Sequence, residues 1–241
     1  MRATPLRAIE FPAVLLTALS VFALTACSND NGSDDDAQPE DPMARLDAAA
    51  DLLDGTSGVS FGLEGSDLPD SGTVILGAEG SAAPPDALEG EIRLLFSGLP
   101  TTIPVVSVGG ELYADILGSG FAPVDADTLG FSDPGALIDP ERGVSQLLRS
   151  GSDVTAGDEV RVDSEVYDQI TSTLPGDLVD QVLSLADPAA QVEASWAIDP
   201  DTGQLRQATL TGPFYDTGSN QTYTVALGDY DEPVEISAPA D

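Results

Sequence analysis

From residue 59 onward the chain is a succession of short apolar segments punctuated by glycine, and this rhythm limits the possible folds more than any other feature. Residues 59–63, 73–79 and 89–97 are glycine-bounded and rich in apolar and β-branched side chains, as strands are. In the third, Ile92, Leu94 and Phe96 share one face while Arg93, Leu95 and Ser97 share the other. A strand with apolar residues on both faces is covered on both sides, or one face lines a dry cavity. Residues 104–108 and 111–115 flank Gly109-Gly110, where glycine accepts the positive φ of a two-residue hairpin turn. Further strands are expected at 158–171, 191–198, 204–211, 222–227 and 234–237.

Helical spacing interrupts this pattern in few places. Asp41-Pro42 has the form of an N-cap and first-turn proline, and Met43, Leu46, Ala50 and Leu53 follow at helical spacing, predicting a helix over 42–54 ended by Gly55. Asp133-Pro134 and Asp139-Pro140 repeat the capping form ahead of Val144, Leu147 and Leu148, which fits two short helices in 134–149. Pro175 opens a helix carrying Leu178, Val179, Val182 and Leu185, stopped before Pro188. Roughly nine strands with antiparallel connections, broken by helices, give an α+β fold of one large curved antiparallel sheet with helices against one face. That face is either a filled core or a partly open apolar cavity, and periodicity does not separate the two.

Ahead of this domain, Arg2 and Arg7 precede an apolar stretch over 11–24 that is too short to span a bilayer, and Leu24-Thr25-Ala26-Cys27 closes it with the only cysteine of the chain. This has the form of a bacterial lipobox. Residues 1–26 are read as an export signal and Cys27 as the site of lipidation, placing the domain at the outer face of the plasma membrane on N-terminal acyl chains. Residues 27–41 form an acidic tether, about 20 Å in typical span and about 50 Å at full extension, before the domain at 42–241. The Asp34-Asp35-Asp36 triplet belongs to that solvated tether and is not taken as a metal site.

Without residues 1–26 the chain has 6 arginines against 41 acids, a formal charge of −35, with no lysine or histidine. A field of that sign repels nucleic acid and anionic headgroups. Triads built on histidine, histidine-ligated zinc, Schiff bases and phosphate loops built on lysine are all excluded. Only carboxylate chemistry remains, and so many acids make any neighbouring pair uninformative. The chain is read as no enzyme, with no cofactor and no metal. Asp199-Pro200-Asp201-Thr202-Gly203 has the opening of a calcium loop, but Leu210 stands where the twelfth-position acid belongs, so a hairpin turn is expected.

Val106-Ser107-Val108-Gly109-Gly110-Glu111-Leu112-Tyr113, the stretch from Asp133-Pro134 to Gly143-Val144-Ser145-Gln146-Leu147-Leu148, and Leu227-Gly228-Asp229-Tyr230 followed by Val234 and Ile236 carry a likeness. Together with the lipobox and the length, they resemble the LppX/LprAFG family of mycobacterial-type envelope lipoproteins. The resemblance implies a half-barrel sheet with helices over its concave side, around an apolar cavity for the acyl chains of a multi-acyl lipid or lipoglycan. It also implies carriage of that lipid outside the plasma membrane and an envelope lipid exporter upstream. The expected cavity lining is Phe61, Leu63, Val74, Leu76, Ile92, Leu94, Phe96, Val106 and Val108 from strands, with Leu147, Leu148 and Val182 from helices; for each, ordinary core is the competing role. Trp196 is either a core anchor or the border of the mouth. Arg142 and Arg149, seven apart, either receive a lipid phosphate or pair with acids. The alternative to a carrier is an envelope scaffold with a filled core that binds protein partners.

Overall fold

A computed structural model of the protein describes residues 41–239, apart from 97, 117 and 130–133. The expected export signal, Cys27 and the tether up to residue 40 lie outside the described residues, as does the cap expected at Asp133. The described residues include twelve strands: β1 (Val59–Ser66), β2 (Thr73–Ala83), β3 (Ala87–Phe96), β4 (Leu99–Val108), β5 (Glu111–Ala114), β6 (Ala122–Val124), β7 (Ser152–Ala156), β8 (Val160–Val162), β9 (Glu165–Pro175), β10 (Gln191–Ile198), β11 (Leu205–Gly212) and β12 (Gln221–Gly228). Three helices, α1 (Pro42–Gly55), α2 (Val144–Arg149) and α3 (Gly176–Val179), and 3₁₀ turns at Ala126–Leu129 and Pro134–Ile138 complete it.

The strands form one antiparallel sheet in the order β6-β5-β4-β3-β2-β1-β12-β11-β10-β9-β7, with β8 folded onto β9. The wing of β1 to β6 is a simple meander, the other wing runs β12 to β9 with β7 and β8 both paired to β9, and the wings meet where β1 and β12 pair, Leu63 opposite Val225. The segment between β6 and β7 crosses from one wing to the other and carries α2 and both 3₁₀ turns over one face. The α+β architecture is therefore the expected one. At the start of α1, Asp41 accepts a hydrogen bond from the Met43 N–H at 3.2 Å and Pro42 fills the first turn.

Several boundaries differ for physical reasons. β4 begins at Leu99 and runs through Pro100 and Pro104. The ladder with β5 covers only Val105–Val108, so Pro100 sits where β4 is an edge, while the Pro104 carbonyl still accepts the Asp115 N–H at 3.0 Å and the missing proline N–H ends the pairing there. The strand expected over 158–171 is a hairpin, because Asp163 and Ser164 both take positive φ, 48° and 81°, and reverse the chain. The helix after Pro175 stops at Val179: the Asp180 carboxylate accepts the Leu185 N–H at 2.7 Å, and Pro213 accepts the Ala186 N–H, so the chain turns instead. Residues 234–237 are not a strand, since both edges of β12 are already taken by β1 and β11. β6 and β7 were not anticipated by the sequence.

Candidate functional site

Register builds a continuous apolar wall. Reading across eight strands, Ile170, Trp196, Ala208, Val225, Leu63, Ala78, Ile92 and Ile103 stand directly opposite one another in turn. None is more than 8% exposed. In the next row, Phe61 faces Gly80, Gly80 faces Gly90 and Gly90 faces Val105. A Cβ on Gly80 would meet the Glu89 carbonyl oxygen at 2.1 Å, and one on Gly90 the Glu79 oxygen at 2.1 Å, so only glycine permits this approach. Alternation in each strand supplies these rows, and the sizes within them vary from glycine to tryptophan.

Pro134, Leu137, Val144 and Leu147 from the crossover, with Val182 and Leu183 from the turn after α3, cover this face. Between cover and sheet lies a concavity of about 720 Å³ that runs out to solvent, of which about 50 Å³ is open to the centre of a water-sized sphere. That is room for a few waters. Of its lining residues only Glu91 is ionisable, and its side chain is exposed. Trp196 is fully buried in the wall, and its indole N–H donates to Ser172 Oγ at 2.9 Å, so the ring presents no unmet polar group. No cluster of three or more candidate metal ligands occurs among the described residues.

Apart from Glu91, the charged groups nearby pair with one another and do not line the cavity. Arg149 on α2 bonds Asp51 at 2.6 Å and Asp54 at 2.8 Å, both on α1, and Arg142 bonds Asp139 at 2.6 Å. Burial acts against the charge of Arg149, but the two carboxylates outweigh it and raise its pKa. The arginines expected to choose between phosphate and acids are thus engaged by the chain's own acids. Beside the cavity, Tyr223 donates to the Ile75 carbonyl at 2.7 Å while the Ile75 N–H donates to Tyr215 Oη at 2.8 Å. The two hydroxyls are themselves hydrogen-bonded, and burial pushes both pKa values up. They hold β2 at a bulge, since its register slips between Ile75 and Gly77.

Of the residues expected to line the cavity, Phe61, Leu63, Ile92, Leu147 and Val182 lie on its wall. Leu94 and Leu148 are core, 1% and 0% exposed, and do not reach it. The bulge moves Leu76 out of step, so Ile75 takes the inward place opposite Leu94, and Val74 pairs with Leu95 on the other face. Val106 and Val108 also face outward, because Val105 and Ser107 take the inward positions opposite Ala114 and Leu112. The turn held the clue: Val108 pairs with Glu111, an acid that belongs outside. Phe96 has inward parity but lies beyond the cover and is 59% exposed. Sequence reasoning missed Ala78, Ala208 and Val225 because small or ordinary core residues carry no local mark.

The LppX_LprAFG lipoprotein family profile matches residues 41–236. The lipoarabinomannan carrier protein LprG of Mycolicibacterium hassiacum is 28% identical over 232 residues, covering 95% of this chain and 97% of that one. The protein of the same name from Mycobacteroides abscessus is 24% identical over 228 residues, covering 95% and 96%. Among solved structures, LprF from Mycobacterium bovis superposes with a TM-score of 0.66 at 14% identity, over 83% of this chain and 97% of that one. LppX from Mycobacterium tuberculosis gives 0.56 at 19% identity, over 81% and 98%.

Proposed function

Because the chain belongs to the LppX_LprAFG lipoprotein family, we propose that it is a membrane-anchored carrier that holds acyl chains of envelope lipids or lipoglycans in its apolar cavity. It presents them outside the plasma membrane, tethered through acylated Cys27, after receiving them from an envelope lipid exporter. The observation that carries this reading is the cavity itself, walled by apolar residues from seven strands and capped by apolar residues of the crossover. Two relatives named as lipoarabinomannan carriers support it.

Physically, a lipid with two or three chains must be enclosed to cross an aqueous space, at about 25 cal/mol for each Å² of apolar surface kept from water. Sites that hold such ligands have volumes of several hundred Å³. The 50 Å³ open here therefore requires the cover to lift from the sheet as cargo enters. Its pieces suit that movement: α2 has six residues, α3 has four, and neither shares the ladder hydrogen bonds of the sheet. The protein's role is to bind and release, and the work of the fold is to exchange cover–sheet contacts for cover–lipid and sheet–lipid contacts of similar kind.

The same small volume favours a second reading, a scaffold lipoprotein with a filled core that docks envelope proteins. One experiment separates them. The domain is purified from its producing cells without the acyl anchor, extracted with organic solvent and analysed by mass spectrometry. Multi-acyl lipid at close to one molecule per protein supports the carrier. Empty protein in repeated preparations overturns it in favour of the scaffold.

A further inference from the structure

Four of the six large hydrophobic side chains that stand exposed among the described residues sit on two neighbouring chain reversals: Phe96 and Leu99 at the β3–β4 tip, and Ile116 and Phe121 between β5 and β6. Phe96 and Leu99 are directly paired, and Leu99 is 69% exposed. Antiparallel pairing of β4 with β5 places both reversals at the same end of the sheet. The two reversals themselves carry little charge: Asp115 opens the second, and Asp67 and Asp70 stand on the adjoining β1–β2 turn, beside Thr73, which pairs with Phe96. Residues 94–110 form the longest uncharged run after Cys27, and 116–124 are uncharged as well, in a chain whose formal charge is −34.

The patch continues the inward face of β3, beyond the cavity wall at Ile92. Ile92, Leu94 and Phe96 follow one another on the inward face of β3, and the cover ends between Leu94, 1% exposed, and Phe96, 59% exposed. We propose that this rim is a bilayer-docking edge, with Phe96, Leu99, Ile116 and Phe121 inserting at the boundary between headgroups and acyl chains of an electrically neutral membrane surface. A protein partner of ordinary kind buries about 800 Å² on each side, which side chains on two reversals do not supply, whereas insertion in a bilayer requires no matching surface. The acidic remainder of the domain is repelled by anionic surfaces, so the uncharged stretches 94–104 and 116–124 are the parts of this rim that meet an electrically neutral lipid surface. The proposal concerns contact with a bilayer and stands whether or not the cavity carries cargo.

Every member of the core cluster lies between Leu46 and Leu227, so a chain beginning at Ser28 keeps the whole core without the anchor. That protein is floated with phosphatidylcholine vesicles. It is expected to rise with them, and the double variant Phe96→Ser, Leu99→Ser to lose about tenfold in bound fraction, while Leu52→Ser on α1 leaves binding unchanged. Phosphatidylglycerol in the vesicles should weaken binding at low salt, and added salt should restore it. Both substituted side chains are exposed, and a melting curve that matches the parent's verifies folding; if the double variant melts early, Leu99→Ser alone takes its place. Failure of the parent to float, equal flotation of the tip variant, or an equal loss in Leu52→Ser overturns the proposal.

Discussion

The guanidinium of Arg149 on α2 donates to Oδ1 of Asp51 on α1 at 2.6 Å, and its other terminal nitrogen reaches Asp54 at 2.8 Å. One cation thereby ties the six-residue cover helix to the helix that opens the domain. The second oxygen of Asp54 is buried without a hydrogen-bond partner, so this carboxylate depends on Arg149 for compensation.

Arg149→Ala should cost about 1 kcal/mol in urea unfolding, a modest figure because the guanidinium and Asp51 are partly solvated. It should also speed uptake of a fluorescent fatty acid, since the cover loses its clip. Stopped-flow fluorescence reads the rate, and an unchanged rate with lowered stability would separate the clip from cargo entry.

Ala208 stands mid-wall between Trp196 and Val225. Ala208→Leu adds volume where a chain would lie, and overpacking of this size costs about 1–3 kcal/mol. Lipid recovered by extraction should fall severalfold while the circular dichroism spectrum is retained.

Gly80→Ala brings a methyl group onto the Glu89 carbonyl at 2.1 Å and should destabilise the protein by about 2 kcal/mol or more. Gly62→Ala, on the neighbouring strand, meets nothing within 4 Å and should change stability by less than about 1 kcal/mol. Paired denaturation curves test the contrast.

Below neutral pH the behaviour of Asp139 sets an acid limit. Burial acts against its charge, yet the Glu141 N–H and the Arg142 guanidinium outweigh burial and hold its carboxyl below the ordinary 3.8. A carboxyl whose pKa is lower folded than unfolded adds stability above the unfolded value and loses it as pH falls through the folded one. Its contribution should be intact at about pH 5, begin to fall as pH approaches 3.8 and be gone only below the lowered folded value, and Asp139→Asn should flatten that acid part of a melting-temperature profile.

Cys27→Ala should release the protein from the membrane fraction while leaving lipid binding by the domain in place. Fractionation of cells followed by extraction of the soluble protein measures both at once.

Glycine punctuation and Asp-Pro caps made α1, the Gly109-Gly110 hairpin and the antiparallel sheet legible, because each depends on a local backbone requirement. What stayed hidden depends on partners far along the chain. The bulge at Leu76 arises where Tyr215 and Tyr223 grip Ile75, and no local pattern in β2 announces residues some 140 positions away. Val105 and Val106 are equally apolar, and only the pairing of Val108 with Glu111 assigns their faces. Phe96 keeps the right parity yet stands in the open, since parity does not say where the cover ends.

The pairing of β1 with β12, Ser60 opposite Gly228, also governs when the molecule can exist as such. In a chain synthesised N-terminus first, β1 has no partner on its β12 side until residues 221–228 are made, and contacts of that sequence separation make folding slow. Up to that moment half of the apolar wall has no opposite half. Residues 221–228 must therefore be in place before the domain can close, which leaves a partly made chain exposed to aggregation along that edge and makes β12 the step that commits it to the native state.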